Sequence, residues 1–77
     1  MTMAYVFINT ELNAEDMVLR ELERIPGICE TNIVEGIYDI VVRVEKENLV
    51  DLKNLITSEI WGLNKVRLTE TMICYTD

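Results

Sequence analysis

An α+β fold, with its elements in the order strand, helix, strand, strand, helix, strand, follows from three features of this sequence. Four runs are rich in β-branched and aromatic residues: MAYVFINT, ICETNIVE, IYDIVVRVE and VRLTETMICY. Two stretches between them repeat apolar residues at spacings of three and four, the period of a helix. Gly36 stands alone between the second and third β-rich runs, where a hairpin turn would join them directly.

The first run, Met3 to Thr10, is apolar on both of its alternating sides: Met3, Tyr5 and Phe7 on one, Ala4, Val6 and Ile8 on the other. Such a strand belongs in the middle of a sheet covered on both faces. A chain of 77 residues has helices enough for one face, so the second face calls for another subunit. Asn13 to Ile25 is a helix, with Asn13 as its N-cap and Glu15 and Asp16 in the first turn, where acids complement the helix dipole. Its apolar stripe is Ala14, Met17, Val18, Leu22 and Ile25, and Pro26-Gly27 ends it. Ile28 to Glu35 reads as a half-buried edge strand. A tight turn at Gly36 leads into Ile37 to Glu45, the most β-branched run and a central strand. Asn48 caps a second helix that runs to about Leu63, with a stripe of Leu49, Leu52, Leu55, Ile56, Ile60 and Leu63. Val66 to Tyr75 is the last strand, and Thr76-Asp77 a short tail. Trp61 is expected as a partly exposed cap on the core.

This order is the split βαβ, or ferredoxin-like, arrangement. Right-handed crossovers give a four-stranded antiparallel sheet of order 4-1-3-2 with both helices on one face. Cys29 and Cys74 then lie on opposite edges, roughly 14 Å apart, beyond the reach of a disulfide.

Composition narrows the function. Fourteen Asp and Glu against seven Lys and Arg give a net charge of −7, which argues against nucleic acid and against an anionic membrane surface as direct partners. No apolar run reaches the ~20 residues of a membrane span and no signal peptide is visible, so a cytoplasmic location is expected. There is no histidine, and the two cysteines do not form a metal-binding pair. No glycine-rich loop opens a helix, so a phosphate cradle is missing. Enzymatic activity is not expected, nor is a metal or cofactor.

Two groups of residues remain as candidates. Asp39 follows Gly36 and Tyr38 at the start of an otherwise apolar strand, where a carboxylate either sits at an exposed strand end or meets a cation such as the amino group of a small ligand. Thr69 and Thr71 lie two apart in the last strand and so present a pair of hydroxyls on one side of the sheet. Each pattern alone is equally well explained by ordinary strand and turn preferences.

Taken together, these residues resemble the ligand-binding half of the Lrp/AsnC transcription regulators, the RAM domain. The resemblance runs over almost the whole chain: a first strand like AYVFINT, a helix ending in IPGI, a strand ending in VEG, the hairpin GIYDIVVRV, a helix beginning NLVDL, and V-x-x-T-x-T-M-I in the last strand. Gly36-Ile37-Tyr38-Asp39 matches the hallmark Gly-x-Tyr-Asp of the family, and Thr69-Glu70-Thr71 makes the match more specific.

The resemblance implies a domain that pairs through its sheet into dimers, with dimers joining into rings of eight or ten subunits. It implies an amino acid or related small molecule bound at the junction between dimers. Carried over by position, Val34, Glu35 and Gly36 present backbone groups to the ligand, Tyr38 and Asp39 belong to the same hairpin, Asp39 is the counter-charge for an amino group, and Thr69 and Thr71 form the polar wall. Full-length regulators of the family carry an N-terminal helix-turn-helix. This chain enters its first strand at once, so residues 1–77 are expected to be a single domain of the stand-alone type, without DNA-binding capacity. It would act on transcription through assembly, including with a full-length regulator. The alternatives from other classes are an ACT-like regulatory subunit of a metabolic enzyme, which has the same strand order, and a structural oligomer without a ligand. The ACT-like site places glycine after the first strand, where this chain has Glu11-Leu12-Asn13.

Overall fold

A computed structural model describes residues 1–75. The tail expected at Thr76-Asp77 lies outside the described residues. The elements are β1 (Thr2–Thr10), α1 (Glu15–Glu23), β2 (Ile28–Ile33), β3 (Ile40–Lys46), α2 (Leu49–Leu55) continued by a π-helical turn (Ile56–Ile60), and β4 (Val66–Cys74). The strands form one antiparallel sheet of order β2-β3-β1-β4, which is 4-1-3-2 read from the other edge. The apolar runs therefore occupy the places their patterning requires: β1 and β3 are central, and β2 and β4 are edges.

One face of the sheet is packed by the helices. Ala4, Val6 and Ile8 of β1 and Ile40, Val42 and Val44 of β3 are fully buried there with Val18, Leu22, Leu52 and Ile60. The other face carries the alternate residues, and the register sets them in rows across the sheet. Asn32, Val41, Phe7 and Glu70 form one row. Glu30, Arg43, Tyr5 and Met72 form the next, and Glu45, Met3 and Cys74 the one beyond it. This open face is apolar along its centre and bears exposed Tyr5, Leu68 and Met72 at 37%, 65% and 57%. Arg43 is paired with Glu30 at 3.4 Å and with Glu45, so β2 and β3 are tied together on this side.

Local chemistry departs from expectation in four places. Asn13 is not an N-cap: it sits at φ +64° in a turn closed by the Ala14 N–H donating to the Glu11 carbonyl at 3.0 Å. Asparagine tolerates this left-handed conformation, and in it the side chain cannot cap, so α1 starts at Glu15 without a side-chain cap. Helix α1 is correspondingly shorter than expected, and Met17 lies outside its buried stripe at 49% exposure. Asn48 does cap α2, accepting from the Asp51 N–H at 2.9 Å. The third departure ends that helix: the Trp61 N–H donates to the Ile56 carbonyl at 3.0 Å, five residues back. This widened turn buries both Ile56 and Ile60 and leaves Trp61 outside, more than half exposed.

The fourth departure is the hairpin. No tight turn forms at Gly36. β2 stops at Ile33 and β3 starts at Ile40, leaving a six-residue loop over 34–39. At the opposite end of the sheet, Gly27 takes φ +102°, and a Cβ there would lie 2.6 Å from Leu55 Cδ1. The backbone conformation strains any larger residue there, and the Leu55 side chain would also have to shift to admit one.

Candidate functional site

The loop over 34–39 is built outward from the end of β1. The β1–β3 ladder ends at the pair Ile8–Ile40, and the β1–β4 register shifts between Asn9 and Thr10. Beyond the ladder, the Asp39 N–H donates to the Ile8 carbonyl at 2.9 Å. The Thr10 N–H then has no strand carbonyl facing it. Its acceptor is Asp39 Oδ2 at 2.9 Å, and the Thr10 hydroxyl lies 3.5 Å from the same oxygen. The Val34 N–H donates to the Asp39 carbonyl at 2.9 Å, which closes the loop. Asp39 thus ties both ends of the loop to the sheet with its N–H, its carbonyl and its carboxylate. An ionised acceptor makes the Thr10 bond stronger than a neutral one.

This clamp answers the question raised by an acid in an apolar strand. The partner inside the chain is the backbone of Thr10, the buried polar residue of the core. Sequence reasoning passed over Thr10; its one signal is a hydroxyl residue at the point where the apolar alternation of β1 stops. Between the clamped ends the loop stands free. Glu35, Gly36 and Ile37 are exposed. Gly36 has φ +143°, a region reserved for glycine, although a Cβ there would meet nothing within 4 Å. The conformation, and not the space, demands glycine at this position.

Tyr38 leaves the loop in another direction. Its ring lies 5.4 Å from that of Phe7 at 45°, an edge-tilted aromatic pair on the open face of the sheet. Tyr38 and Asp39 are therefore neighbours in sequence with separate roles, one extending the apolar face and the other fixing the loop.

Thr69 and Thr71 pair with Ile8 and Val6 and lie on the helix-bearing face of β4, both half-buried and on one side as the spacing predicts. The Thr71 hydroxyl is covered and has no hydrogen-bond partner among the described residues. Ile8 separates the two groups: Thr69 is opposite it on one flank and the Asp39 N–H bonds its carbonyl on the other. Two strand spacings, roughly 9–10 Å, intervene. One chain thus brings Val34, Glu35, Gly36 and Asp39 together and keeps Thr69 and Thr71 across β1 from them.

Two surface clefts lie elsewhere. One of about 410 Å³ is lined by residues such as Pro26, Lys46, Asp51 and Glu59, and one of about 240 Å³ by Glu23, Cys29 and Thr31. Neither contains any of the seven candidate residues. Among the described residues no cluster of acids and cysteines could hold a metal ion, and no helix is long and apolar enough to cross a membrane.

Comparison with known proteins gives this geometry a family. A profile of the Lrp/AsnC ligand binding domain matches residues 3–76. An uncharacterised HTH-type transcriptional regulator of Pyrococcus abyssi is 30% identical over 70 residues, 91% of this chain but 44% of the regulator. The chain spans about half the length of the curated relatives it matches. A hypothetical protein from Pyrococcus horikoshii has the same structure with a TM-score of 0.94 and 32% identity, over 100% of this chain and 93% of that one. A Neisseria meningitidis transcriptional regulator solved in complex with L-Met shares the fold alone, with a TM-score of 0.86 at 8% identity over 99% of this chain and 51% of that one. The profile match over nearly every residue, on a fold with the matching strand order, places this chain in the Lrp/AsnC ligand-binding domain family.

Proposed function

We propose that this chain is an effector-sensing and assembly module of Lrp/AsnC regulation, taking an amino acid or related small molecule at the loop over 34–39. The observation that carries the reading is the clamp: Asp39 holds both ends of the loop, using the Val34 N–H, while the exposed backbone of Glu35 and Gly36 stays available for a ligand. In a single chain this loop is an exposed rim that neither surface cleft reaches, so the pocket is completed by a second subunit. The L-Met complex of the N. meningitidis regulator supports an amino acid as the chemical class.

The open sheet face is the surface through which two copies pair, and the dimers join into rings of eight or ten. A full-length regulator of the family is a further partner, through which this domain acts on transcription. The setting is cytoplasmic. Ligand at the junction favours whichever assembly binds it better and shifts the population that way. Membership of this family favours this reading over the ACT-like alternative, which shares the strand order and also binds amino acids.

The test separates the charge of Asp39 from its structural bond. Asp39→Asn keeps an oxygen for the Thr10 N–H and removes the negative charge. A thermal-shift screen against the common amino acids identifies a ligand, because binding to the native state raises the melting temperature. Calorimetry of Asp39→Asn with that ligand is expected to show affinity reduced by about tenfold or more, in keeping with the loss of a charged hydrogen bond. Unchanged affinity in a folded Asp39→Asn protein refutes the assigned counter-charge.

A further inference from the structure

The open face of the sheet has an apolar centre and an unbalanced charge. Its rows carry three carboxylates, Glu30, Glu45 and Glu70, and one guanidinium, Arg43, an excess of two negative charges. Arg43 is already engaged by Glu30 and Glu45. Among the described residues Glu70 has no such neighbour. It is exposed, faces Phe7 on β1, and lies between Leu68 and Met72 along β4 on the same face. Past Phe7 its row continues with Val41 and Asn32, and the adjoining row places Tyr5 and Met72 between it and Arg43.

Pairing this face with itself brings two acidic excesses together, whatever the rotation of one sheet over the other. Like charges brought into an interface cost affinity, whereas a complementary face gains it. We propose that the open face prefers, over a second copy of this chain, a related sheet face with an apolar centre and net positive charge, and that Glu70 sets this preference. The inference rests on the reading above that the open face is the pairing surface. Self-pairing occurs when nothing else is present, and a domain with a basic face displaces it.

The probe partner is a copy of this chain with Glu45→Lys and Glu70→Lys, which turns the excess from two negative to two positive charges on the same apolar centre. The isotope-labelled variant is mixed with the natural protein, and native mass spectrometry counts mixed and like dimers. Mixed dimers are expected to exceed random pairing by about fivefold or more at ~20 mM salt and to approach random pairing at ~500 mM, where the charges are screened. In the same series, self-association of the natural protein tightens as salt rises, and Glu70→Gln tightens it about threefold at low salt. Random pairing at low salt, or a natural dimer that loosens with salt, overturns the proposal. If the double variant does not fold, Glu70→Gln decides alone: affinity no higher than the natural protein's overturns it. Phe7→Asp separates the two levels. If Phe7→Asp keeps the natural mass, the open face is not the pairing surface and the reading beneath the proposal fails. If Phe7→Asp is monomeric and mixing is still random, the charge preference alone fails.

Discussion

The two sides of β1 are chemically alike and structurally unlike. Ala4, Val6 and Ile8 on one side are fully buried under the chain's own helices. Met3, Tyr5 and Phe7 on the other side are just as apolar, yet only Phe7 has an aromatic neighbour, the ring of Tyr38. Covering a large apolar side chain contributes about 1.5–3 kcal/mol, so one side of the strand holds the fold together, while the proposed pairing through the other would gain part of that free energy. The difference lies in what surrounds each side, since both carry largely apolar side chains.

The largest effect that sharpens this contrast is expected on the helix side. Ile8→Ala opens a cavity where Ile40 and the helices meet, and urea denaturation should show a loss of about 2–5 kcal/mol. The same truncation at Phe7 should cost the monomer far less, because fewer atoms enclose it. The next effect belongs to the loop. Asp39→Ala leaves the Thr10 N–H without its acceptor and is expected to cost about 1–3 kcal/mol, while Asp39→Asn stays within about 1 kcal/mol of the natural protein. Equal losses in the two variants would mean that charge, and not the hydrogen bond, secures the loop. The smallest effect has the opposite sign. Thr71→Val removes a covered hydroxyl that has no partner among the described residues and keeps the shape, so thermal unfolding should show no loss, or a gain of up to about 1 kcal/mol. A clear loss on Thr71→Val would show that the hydroxyl is satisfied within the fold.

Much of this architecture was legible because it rests on periodicity. The two-sided apolar character of MAYVFINT and the β-branched run IVVRV required central strands, and β1 and β3 are central. Spacings of three and four found the buried Val18, Leu22, Leu52 and Ile60. What periodicity missed depends on single residues. Asn13 and Asn48 are both asparagines before a helix; one caps and the other adopts φ +64°, and the difference is set by the turn that Glu11 and Ala14 close. Gly36 marked the hairpin correctly as a place of positive φ, but the width of the loop is fixed by Asp39 bonding to Ile8, Val34 and Thr10. Those are contacts across 29 residues between Thr10 and Asp39, and no local pattern encodes them. The π-helical turn is hidden for a similar reason: Ile56 and Ile60 fit an ordinary helical stripe as well as the wider one. In the candidate site, alternation correctly set Thr69 and Thr71 on one side of β4. It could not show that β1 stands between them and Asp39.

The contrast between the two sides of β1 is tested most directly by the solution mass of Phe7→Asp measured by light scattering beside the natural protein, with circular dichroism to report the fold. A charge at Phe7 cannot be buried against another sheet without a partner, yet it is tolerated on an open surface. The account predicts that the natural chain runs as a multiple of its 8.9 kDa and that Phe7→Asp runs as a folded monomer. A Phe7→Asp protein that keeps the natural mass and fold would contradict it, because the open face would then have no part in assembly.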